Sequence, residues 1–562
     1  MKRVDVVAAL AEPARTDWLA LQLVFVLALL IPTGCATEQK GSSGAPVSAA
    51  RASLNLADKS RTGQPEAAIG YYLDAASLAL QTLAQPAGKN DDDARQVYNQ
   101  AAAELTVLLR AKPEWWNRTE TFRSPRDVYH LRFAAESKSG GIWAPDYFTF
   151  FRTPGEVDEK LVDKQFLSPG LGGTLVGVRN VADPIRHFYP GVGVSASVTV
   201  TLDFTGKGSE SRGVTLVLND PTRRRTVRID AREYPLAADF SAPFAYYPAD
   251  SNLGMEGMID PQKLVTRAGV RITQPYDPER IPVLFVHGLG SAPQTWRNMI
   301  NATESNPTLR GRFQFWVFGY PSGDPIALTA LQLRNNLQEI YRVYPRTKNM
   351  VVVAHSLGGL VTQMQVVNTH RVIWDAVFKE KADELYARVP ANDILKQALI
   401  FNSSPRIDEV VFICTPHYGS DLAIGLLARL FNYLVRLPGQ VLRTAYTGVD
   451  ASLEIVRQTH DNRVPDSIQG LSPKSPLLLS LNTIPIQVPF YSIIGNRGRP
   501  GPLAESSDGI VAYWSSHIPG AREEMIVPYG HVCLSEPLTI EDVDRILHTY
   551  LTSAPPPKNR AR

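Results

Sequence analysis

Apolar and polar residues are arranged in three different ways along the chain. Between residues 51 and 115 the apolar positions recur at helical spacing in two stripes, which are separated by residues 86–90 (PAGKN), and this predicts a helical hairpin. Between residues 120 and 250 short alternating runs, such as 198–204 and 213–218, are divided by Gly and Pro. That pattern predicts a small β-rich domain.

From residue 265 to residue 553, short apolar runs alternate with helical stretches. Runs of this kind are typical of buried parallel strands, and they lie at residues 283–290, 313–318, 350–353, 410–414, 487–494 and 523–527. Predicted helices cover residues 327–344 and 360–367. Strands that alternate with helices predict an α/β fold with a doubly wound, mostly parallel sheet. Its active site is expected at the carboxyl ends of the strands.

The amino terminus reads as a targeting segment. An apolar run at residues 18–31 follows Lys2, Arg3 and Arg15 and is too short for a comfortable membrane span. It ends at Gly34-Cys35 and resembles a bacterial lipoprotein signal over residues 1–35, which implies an acylated Cys35 on the outer membrane, facing the periplasm. Plain secretion with cleavage nearby is the alternative.

Two further segments are predicted to lie outside the folded domains. Residues 36–50 are rich in Gly, Ser, Ala and Pro and indicate a flexible tether. Residues 554–562 are expected to form a disordered tail.

Composition narrows the classes of function. The 562 residues carry a net charge of +3 with both signs spread along the chain, so nothing indicates nucleic-acid binding. We interpret residues 223–225 (RRR) as a solvated turn rather than an anion site. Three cysteines are too few for a disulfide framework, and we expect Cys414 and Cys533 to be buried free thiols.

Residues 354–359 (AHSLGG) join a predicted strand to a predicted helix. A serine on such a sharp turn is typical of a nucleophile elbow, in which small neighbours let the helix leave close to the strand. The usual motif is Gly-x-Ser-x-Gly, and Ala354 takes the first position here. Ser356 is therefore the candidate nucleophile, because a serine hydroxyl becomes reactive when a neighbouring base removes its proton.

Residues 280–552 resemble α/β-hydrolases of the bacterial lipase and esterase kind, near the inositol-deacylase-like lipases. The stretches that carry the resemblance are 286–290 (VHGLG), 354–359 (AHSLGG), 414–420 (CTPHYGS) and 507–511 (SDGIV). The resemblance implies the α/β-hydrolase fold and hydrolysis of carboxylic esters.

The general base is expected on the loop after the last strand, where His531 lies. His517 is the alternative, but it precedes that strand, so its loop is expected to point elsewhere. We expect the elbow to direct His355 away from the site, and His287 and His417 to line the pocket or brace loops.

Asp508 follows the strand at residues 487–494 and is the predicted third member of the triad. The order Ser356, Asp508, His531 is the α/β-hydrolase order. Asp421 is the alternative acid, and it could instead be a helix N-cap. The backbone N–H of Leu357, and by resemblance that of Leu289, would form the oxyanion hole.

Residues 421–485 are long for a connection between strands and contain an apolar helical stretch at 422–435. We interpret this segment as a cap that binds acyl chains, although an ordinary buried helix would show the same pattern. Some related lipases bind calcium through an aspartate just past the catalytic histidine. Because Val532 and Cys533 follow His531 here, we expect no calcium, and we predict no other metal or cofactor.

Together these patterns predict a serine hydrolase that cleaves carboxylic esters, with lipid-like acyl esters as substrates. The expected partners are that substrate and a membrane, to which a lipid anchor on Cys35 would attach the protein. The sequence does not indicate a protein partner for the helical hairpin. An acyltransferase or thioesterase would use the same triad. A catalytically silent envelope scaffold is a third hypothesis, which the intact Ser356, Asp508 and His531 disfavour.

Overall fold

A computed structural model describes residues 45–135, 143–206, 211–229, 232–248, 268–421 and 470–553. The predicted signal segment with Cys35, most of the tether, the tail, and most of the cap (residues 422–469) lie outside these ranges. Within them, no helix combines the length and the apolar character needed to cross a membrane.

Three helices open the described chain: α1 (Ala45–Ser60), α2 (Pro65–Leu83) and α3 (Asp91–Arg110). Helices α2 and α3 pack against each other and form the predicted hairpin. Helix α1 precedes it and starts inside the segment predicted to be a tether. That prediction was wrong for residues 45–50, where Val47 and Ala50 are buried in the helical core.

A six-stranded sheet follows, in the order β1-β2-β7-β6-β5-β3. Neighbouring strands are antiparallel except β2 and β7, which are parallel. The strands and the short helix of this region are β1 (Glu120–Arg123), β2 (Val128–Ala135), β3 (Phe150–Arg152), β4 (Leu167–Ser168), β5 (Gly173–Arg179), β6 (Val194–Thr205), β7 (Arg212–Asn219), β8 (Thr226–Ile229), β9 (Arg232–Pro235), β10 (Ala238–Asp239) and α4 (Ala242–Ala245).

The helices and this sheet share one hydrophobic core, although the sequence pattern suggested two separate domains. The Tyr98 hydroxyl of α3 donates to the carbonyl of Leu202 on β6 (2.9 Å) and accepts from its N–H (2.7 Å). A Cβ on Gly173 of β5 would lie 2.5 Å from the backbone nitrogen of Ala103. The helices therefore cover one face of the sheet at close range.

The carboxyl-terminal region is built on a seven-stranded sheet in the order β11-β13-β12-β14-β15-β16-β17. Strands β12 to β17 run parallel, and β11 joins one edge antiparallel to β13. The bounds are β11 (Gly269–Ile272), β12 (Ile281–Val286), β13 (Phe313–Gly319), β14 (Met350–His355), β15 (Ile407–Ile413), β16 (Phe490–Gly495) and β17 (Glu523–Val527).

Helices cover both faces of this sheet, as the alternation along β14 shows. Val352 and Ala354 pack into one buried cluster, and Val351 and Val353 pack into another on the opposite face. The helices are α5 (Arg297–Ser305), α6 (Pro307–Arg312), α7 (Ile326–Val343), α8 (Leu357–Gln363), α9 (Val372–Phe378), α10 (Ala382–Arg388), α11 (Ile394–Leu399), α12 (Pro476–Leu481), α13 (Tyr513–Ser516) and α14 (Pro537–Ser553). The predicted doubly wound α/β fold is confirmed.

Parallel strands bring their following loops to one edge of the sheet. The loops after β12, β14, β15, β16 and β17 all start at this carboxyl edge, and they contain the candidate residues. Helix α8 is shorter than predicted: it ends at Gln363, whereas the pattern favoured helix to residue 367.

Candidate active site

Ser356 lies in the tight turn between β14 and α8. Its backbone has φ 53° and ψ −124°, a combination that is strained for a residue with a side chain. The turn is held by its neighbours, since the Ser356 N–H donates to the carbonyl of Ile413 on β15 (2.9 Å). A Cβ on Gly358 would lie 2.4 Å from the carbonyl oxygen of His287, so only glycine fits there.

Ser356, His531 and Asp508 form a hydrogen-bonded relay. The His531 Nε2 lies 2.9 Å from the Ser356 Oγ, and its Nδ1 lies 2.7 Å from the Asp508 Oδ2. Because a carboxylate only accepts, Nδ1 carries the proton and Nε2 is free to accept from the serine hydroxyl. The structure thus brings together the three residues predicted as a triad, from loops 152 and 23 residues apart in sequence.

Asp508 stays ionised although its side chain is 1% exposed. Burial raises its pKa, but the hydrogen bond and charge of His531 and two backbone donors outweigh burial and hold the pKa below its usual range. Those donors are the N–H groups of Ile510 (2.8 Å) and Val511 (2.7 Å), both on Oδ1. Oδ2 therefore remains available to orient His531.

The predicted oxyanion donors lie on two adjoining backbones. Leu357 is the first residue of α8, and Leu289 follows His287-Gly288 at the end of β12. Neither N–H has an acceptor within the described part of the chain. A Cβ on Gly288 would lie 3.0 Å from the Ser356 Cβ, so the loop after β12 runs directly beside the nucleophile. Both N–H groups are thus available to a developing negative charge.

His287 braces this loop, one of the two roles predicted for it. Its Nδ1 lies 2.9 Å from the Gly288 carbonyl, its Nε2 accepts from the Tyr320 N–H (3.3 Å), and its ring stacks on Tyr320 at 4.3 Å. The Tyr320 hydroxyl donates to the His287 carbonyl (2.6 Å). Burial lowers the pKa of His287 to about 4, so the ring is neutral near pH 7.

His417 also braces a loop. It is fully buried, its Nδ1 lies 2.8 Å from the Gln363 Oε1, and its carbonyl accepts from the Asn482 side chain (2.6 Å). These bonds connect the loop after β15 to α8 and to the residue that follows α12. Burial lowers the pKa of His417 to about 3.

The two alternative triad residues, His517 and Asp421, do not join the relay. His517 is half exposed, and its Nδ1 lies 2.7 Å from Glu524 Oε2 and 3.3 Å from the Tyr513 hydroxyl. Asp421 is exposed, and the residues that follow it lie outside the described ranges. Neither is hydrogen-bonded to Ser356 or His531.

The expectation for His355 was wrong. Its ring is not directed away from the site: the Nε2 lies 2.8 Å from the carbonyl oxygen of His531, and the two ring centroids are 4.9 Å apart. The motif could not reveal this contact, because it depends on where a loop 176 residues further along the chain passes.

Cys414 and Cys533 are close, buried and not joined by a disulfide, with a distance of 3.8 Å between their sulfur atoms. The contact with Cys533, together with burial, raises the pKa of the Cys414 thiol. Within the described ranges, the grouping that could hold a metal ion is Cys414, Asp508 and His531. Since Asp508 and His531 already bind each other, we assign these atoms to the relay, and the absence of a metal cofactor stays a prediction.

Comparisons with known proteins agree with this fold. Residues 283–532 match the model of the Alpha/beta hydrolase family. The carboxyl-terminal region thus has the α/β-hydrolase fold, as its sheet order and elbow also indicate. No curated protein matches the chain.

Solved structures with low similarity include hydrolases. The lipase BlEst2 of Bacillus licheniformis in its propeptide form is 18% identical with a TM-score of 0.29, over 48% of this chain and 51% of that chain. The mature form of that lipase is 18% identical with a TM-score of 0.26, over 48% and 93%. A thermophilic esterase from Thermogutta terrifontis is 15% identical with a TM-score of 0.25, over 48% and 89%.

Proposed function

We propose that the protein is a serine hydrolase that cleaves carboxylic esters through an acyl-enzyme. The observation that carries this proposal is the relay from Asp508 through His531 to Ser356, with 2.7 Å and 2.9 Å between the paired atoms. The backbone N–H groups of Leu289 and Leu357, which have no acceptor among the described residues, would supply the oxyanion stabilisation that acyl transfer needs.

In the first half-reaction, the Ser356 Oγ attacks the ester carbonyl carbon while its proton moves to His531 Nε2. The carbonyl oxygen becomes an oxyanion that accepts from the N–H groups of Leu289 and Leu357. The ester C–O bond then breaks, and the alcohol leaves with the proton from His531. Asp508 stabilises the imidazolium that exists between these two transfers.

In the second half-reaction, water replaces the alcohol. His531 takes a proton from that water, which attacks the acyl-enzyme carbonyl carbon. Collapse of the second oxyanion breaks the bond to Ser356 Oγ, and the serine recovers its proton from His531. The products are a carboxylic acid and a regenerated enzyme, and no other reactant is consumed.

A fluorophosphonate probe tests the proposal directly, because it traps an activated serine. The probe is expected to add one phosphonyl group to the wild-type protein, on the peptide that contains Ser356, and to block hydrolysis of a p-nitrophenyl ester. Mass spectrometry of the labelled peptide checks the position. Absence of labelling in folded, wild-type protein would contradict the proposal.

We further propose that the acyl part of the substrate is lipid-like. Support comes from the sequence of residues 421–485, with apolar residues at helical spacing between 422 and 435. Each methylene of the acyl chain that is buried against an apolar wall would contribute roughly 0.8 kcal/mol at most to the free energy of binding. The sequence motifs that resemble those of inositol-deacylase-like lipases are a second reason for this proposal.

Catalytic efficiency is therefore expected to rise with acyl length until the pocket is filled. Leu430→Asp and Phe431→Ser should lower the ratio of kcat/KM for octanoate to that for acetate esters, because acetate does not reach the wall. Leu430→Ile and Phe431→Leu are the matched apolar controls. An unchanged ratio, or loss of soluble protein, would favour an ordinary structural helix.

We also propose that the protein is anchored to the outer membrane through acylated Cys35 and faces the periplasm, on the basis of the lipoprotein-like segment that ends there. Cys35→Ala is expected to move the protein from the membrane fraction to the soluble fraction. Fractionation followed by immunoblotting measures this, with Ala36→Ser as a control. Continued membrane association of Cys35→Ala would indicate an uncleaved apolar anchor instead.

A further inference from the structure

His355 occupies a position between the nucleophile and the loop of the general base. It is the last residue of β14, directly before Ser356, and its side chain is buried at 6% exposure. Its Nε2 lies 2.8 Å from the carbonyl oxygen of His531. Because a carbonyl only accepts, His355 must carry its proton on Nε2.

The other side of the ring touches the oxyanion loop. Among the described residues the His355 Nδ1 has no hydrogen-bond partner, and it lies 3.0 Å from the point where a Cβ on Gly288 would stand. The His355 ring thus lies against the loop that carries His531 and against the loop that carries Gly288. His355 itself belongs to β14, the strand that leads into the turn of Ser356.

The backbone of His531 is held on both sides. Its N–H donates to the carbonyl of Asp508 (3.0 Å), and its carbonyl accepts from His355. Asp508 is itself held by the two backbone donors on its side chain. Removing the bond from His355 would leave the backbone of His531 held through its N–H, with its carbonyl deprived of this donor.

We propose that His355 is a positioning residue, which holds the loop of His531 so that the Nε2 of His531 reaches the Ser356 Oγ. This inference rests on the proposed ester hydrolysis. It explains why a polar ring is buried at a position where the elbow itself requires no particular side chain. A displacement of about 1 Å in a catalytic group can cost 100-fold in rate, so a single well-placed donor matters.

The charge state of His355 also suits a hydrogen-bond donor that lies beside His531. Burial, and after it the neighbouring His531, lower the pKa of His355 to about 3. The other titratable groups near it are Asp508 and His287. His355 therefore stays neutral above about pH 4, and its Nε2–H remains available while His531 becomes a cation during turnover.

The test compares His355→Phe with His355→Gln. Phenylalanine keeps a ring of similar size without a donor, whereas the glutamine amide can reach the His531 carbonyl. For a p-nitrophenyl acetate assay we expect kcat to fall about 10- to 100-fold in His355→Phe with little change in KM, and most of the loss to be recovered in His355→Gln. The rate of fluorophosphonate labelling should follow kcat, because both require an aligned His531.

Thermal unfolding and circular dichroism show whether each variant is folded. If His355→Phe does not accumulate as soluble protein, His355→Leu supplies the same comparison with a smaller apolar side chain. Wild-type kcat in a variant without a donor would overturn the inference. So would equal losses in the donor and donor-free variants at equal unfolding midpoints, because ring shape would then be the property that matters.

Failure of the proposed ester hydrolysis can be distinguished from failure of the inference about His355. It would appear in the wild-type protein, as no ester hydrolysis and no labelling of Ser356. The inference about His355 fails only where the wild type is active and the donor-free variant is equally active, or where glutamine gives no recovery.

Discussion

Ser356→Ala is expected to reduce ester hydrolysis by about 10⁴-fold to 10⁶-fold and to abolish fluorophosphonate labelling. The substitution removes the Oγ that forms the acyl-enzyme, while the methyl group still fits the turn between β14 and α8. Steady-state hydrolysis of p-nitrophenyl acetate measures the effect, with active wild-type protein counted by probe labelling and folded Ser356→Ala protein checked by circular dichroism.

A matched control is Ser492→Ala. Ser492 is a buried serine on β16, which is separated from β14 by β15, and its hydroxyl has no hydrogen-bond partner within the described residues. Its loss should leave both activity and labelling unchanged. Substantial turnover by folded Ser356→Ala, or labelling on another serine, would show that the nucleophile lies elsewhere.

His531→Ala is expected to cost as much as loss of the nucleophile, because residues that act as a unit are not additive. Without the imidazole, no described side chain within hydrogen-bonding distance of the Ser356 Oγ can take its proton. The measurement is kcat/KM for the same ester across a pH range. The residual kcat/KM should no longer show the pH dependence that a single general base gives.

The chain supplies its own control in His517→Ala. His517 is the alternative base, half exposed and bound to Glu524 at 2.7 Å. Its removal should change stability by about 0.5 kcal/mol or less and leave kcat/KM unaltered. If His517→Ala proved as damaging as His531→Ala in folded protein, the assignment of the base would be wrong.

The central strands could be predicted from the sequence because a buried parallel strand is apolar on both faces. Strand β17 covers the predicted residues 523–527, and β13 differs from the prediction by one residue at its end. Strand β11 was not predicted. It has four residues and lies at the edge of the sheet, where pairing with β13 rather than its own pattern defines it.

The shared core of the amino-terminal helices and the six-stranded sheet could not be predicted from the sequence. A helical pattern followed by a β pattern suggested two units, and the amphipathic stripes gave no sign of what they face. In the structure those stripes are buried against the six-stranded sheet, through contacts such as the one between Tyr98 and Leu202. The two residues are 104 positions apart, a separation beyond the reach of local periodicity.

At the candidate site, the sequence by itself determined the position of the candidate nucleophile and the chain order of the three relay residues. The elbow is a local structure, since small residues within three positions of Ser356 are what permit its turn. Order along the chain then selected Asp508 and His531, because parallel strands bring their following loops to one edge.

Only the tertiary structure decided which further side chains support that relay. His355 looked irrelevant in the motif, and His287 and His417 had two possible roles each. In the structure they form hydrogen bonds to the His531 carbonyl, to the loop after β13 and to α8, respectively. The loops that supply these partners are connected to the histidines by the fold and not by sequence spacing, so no local pattern encodes the contact.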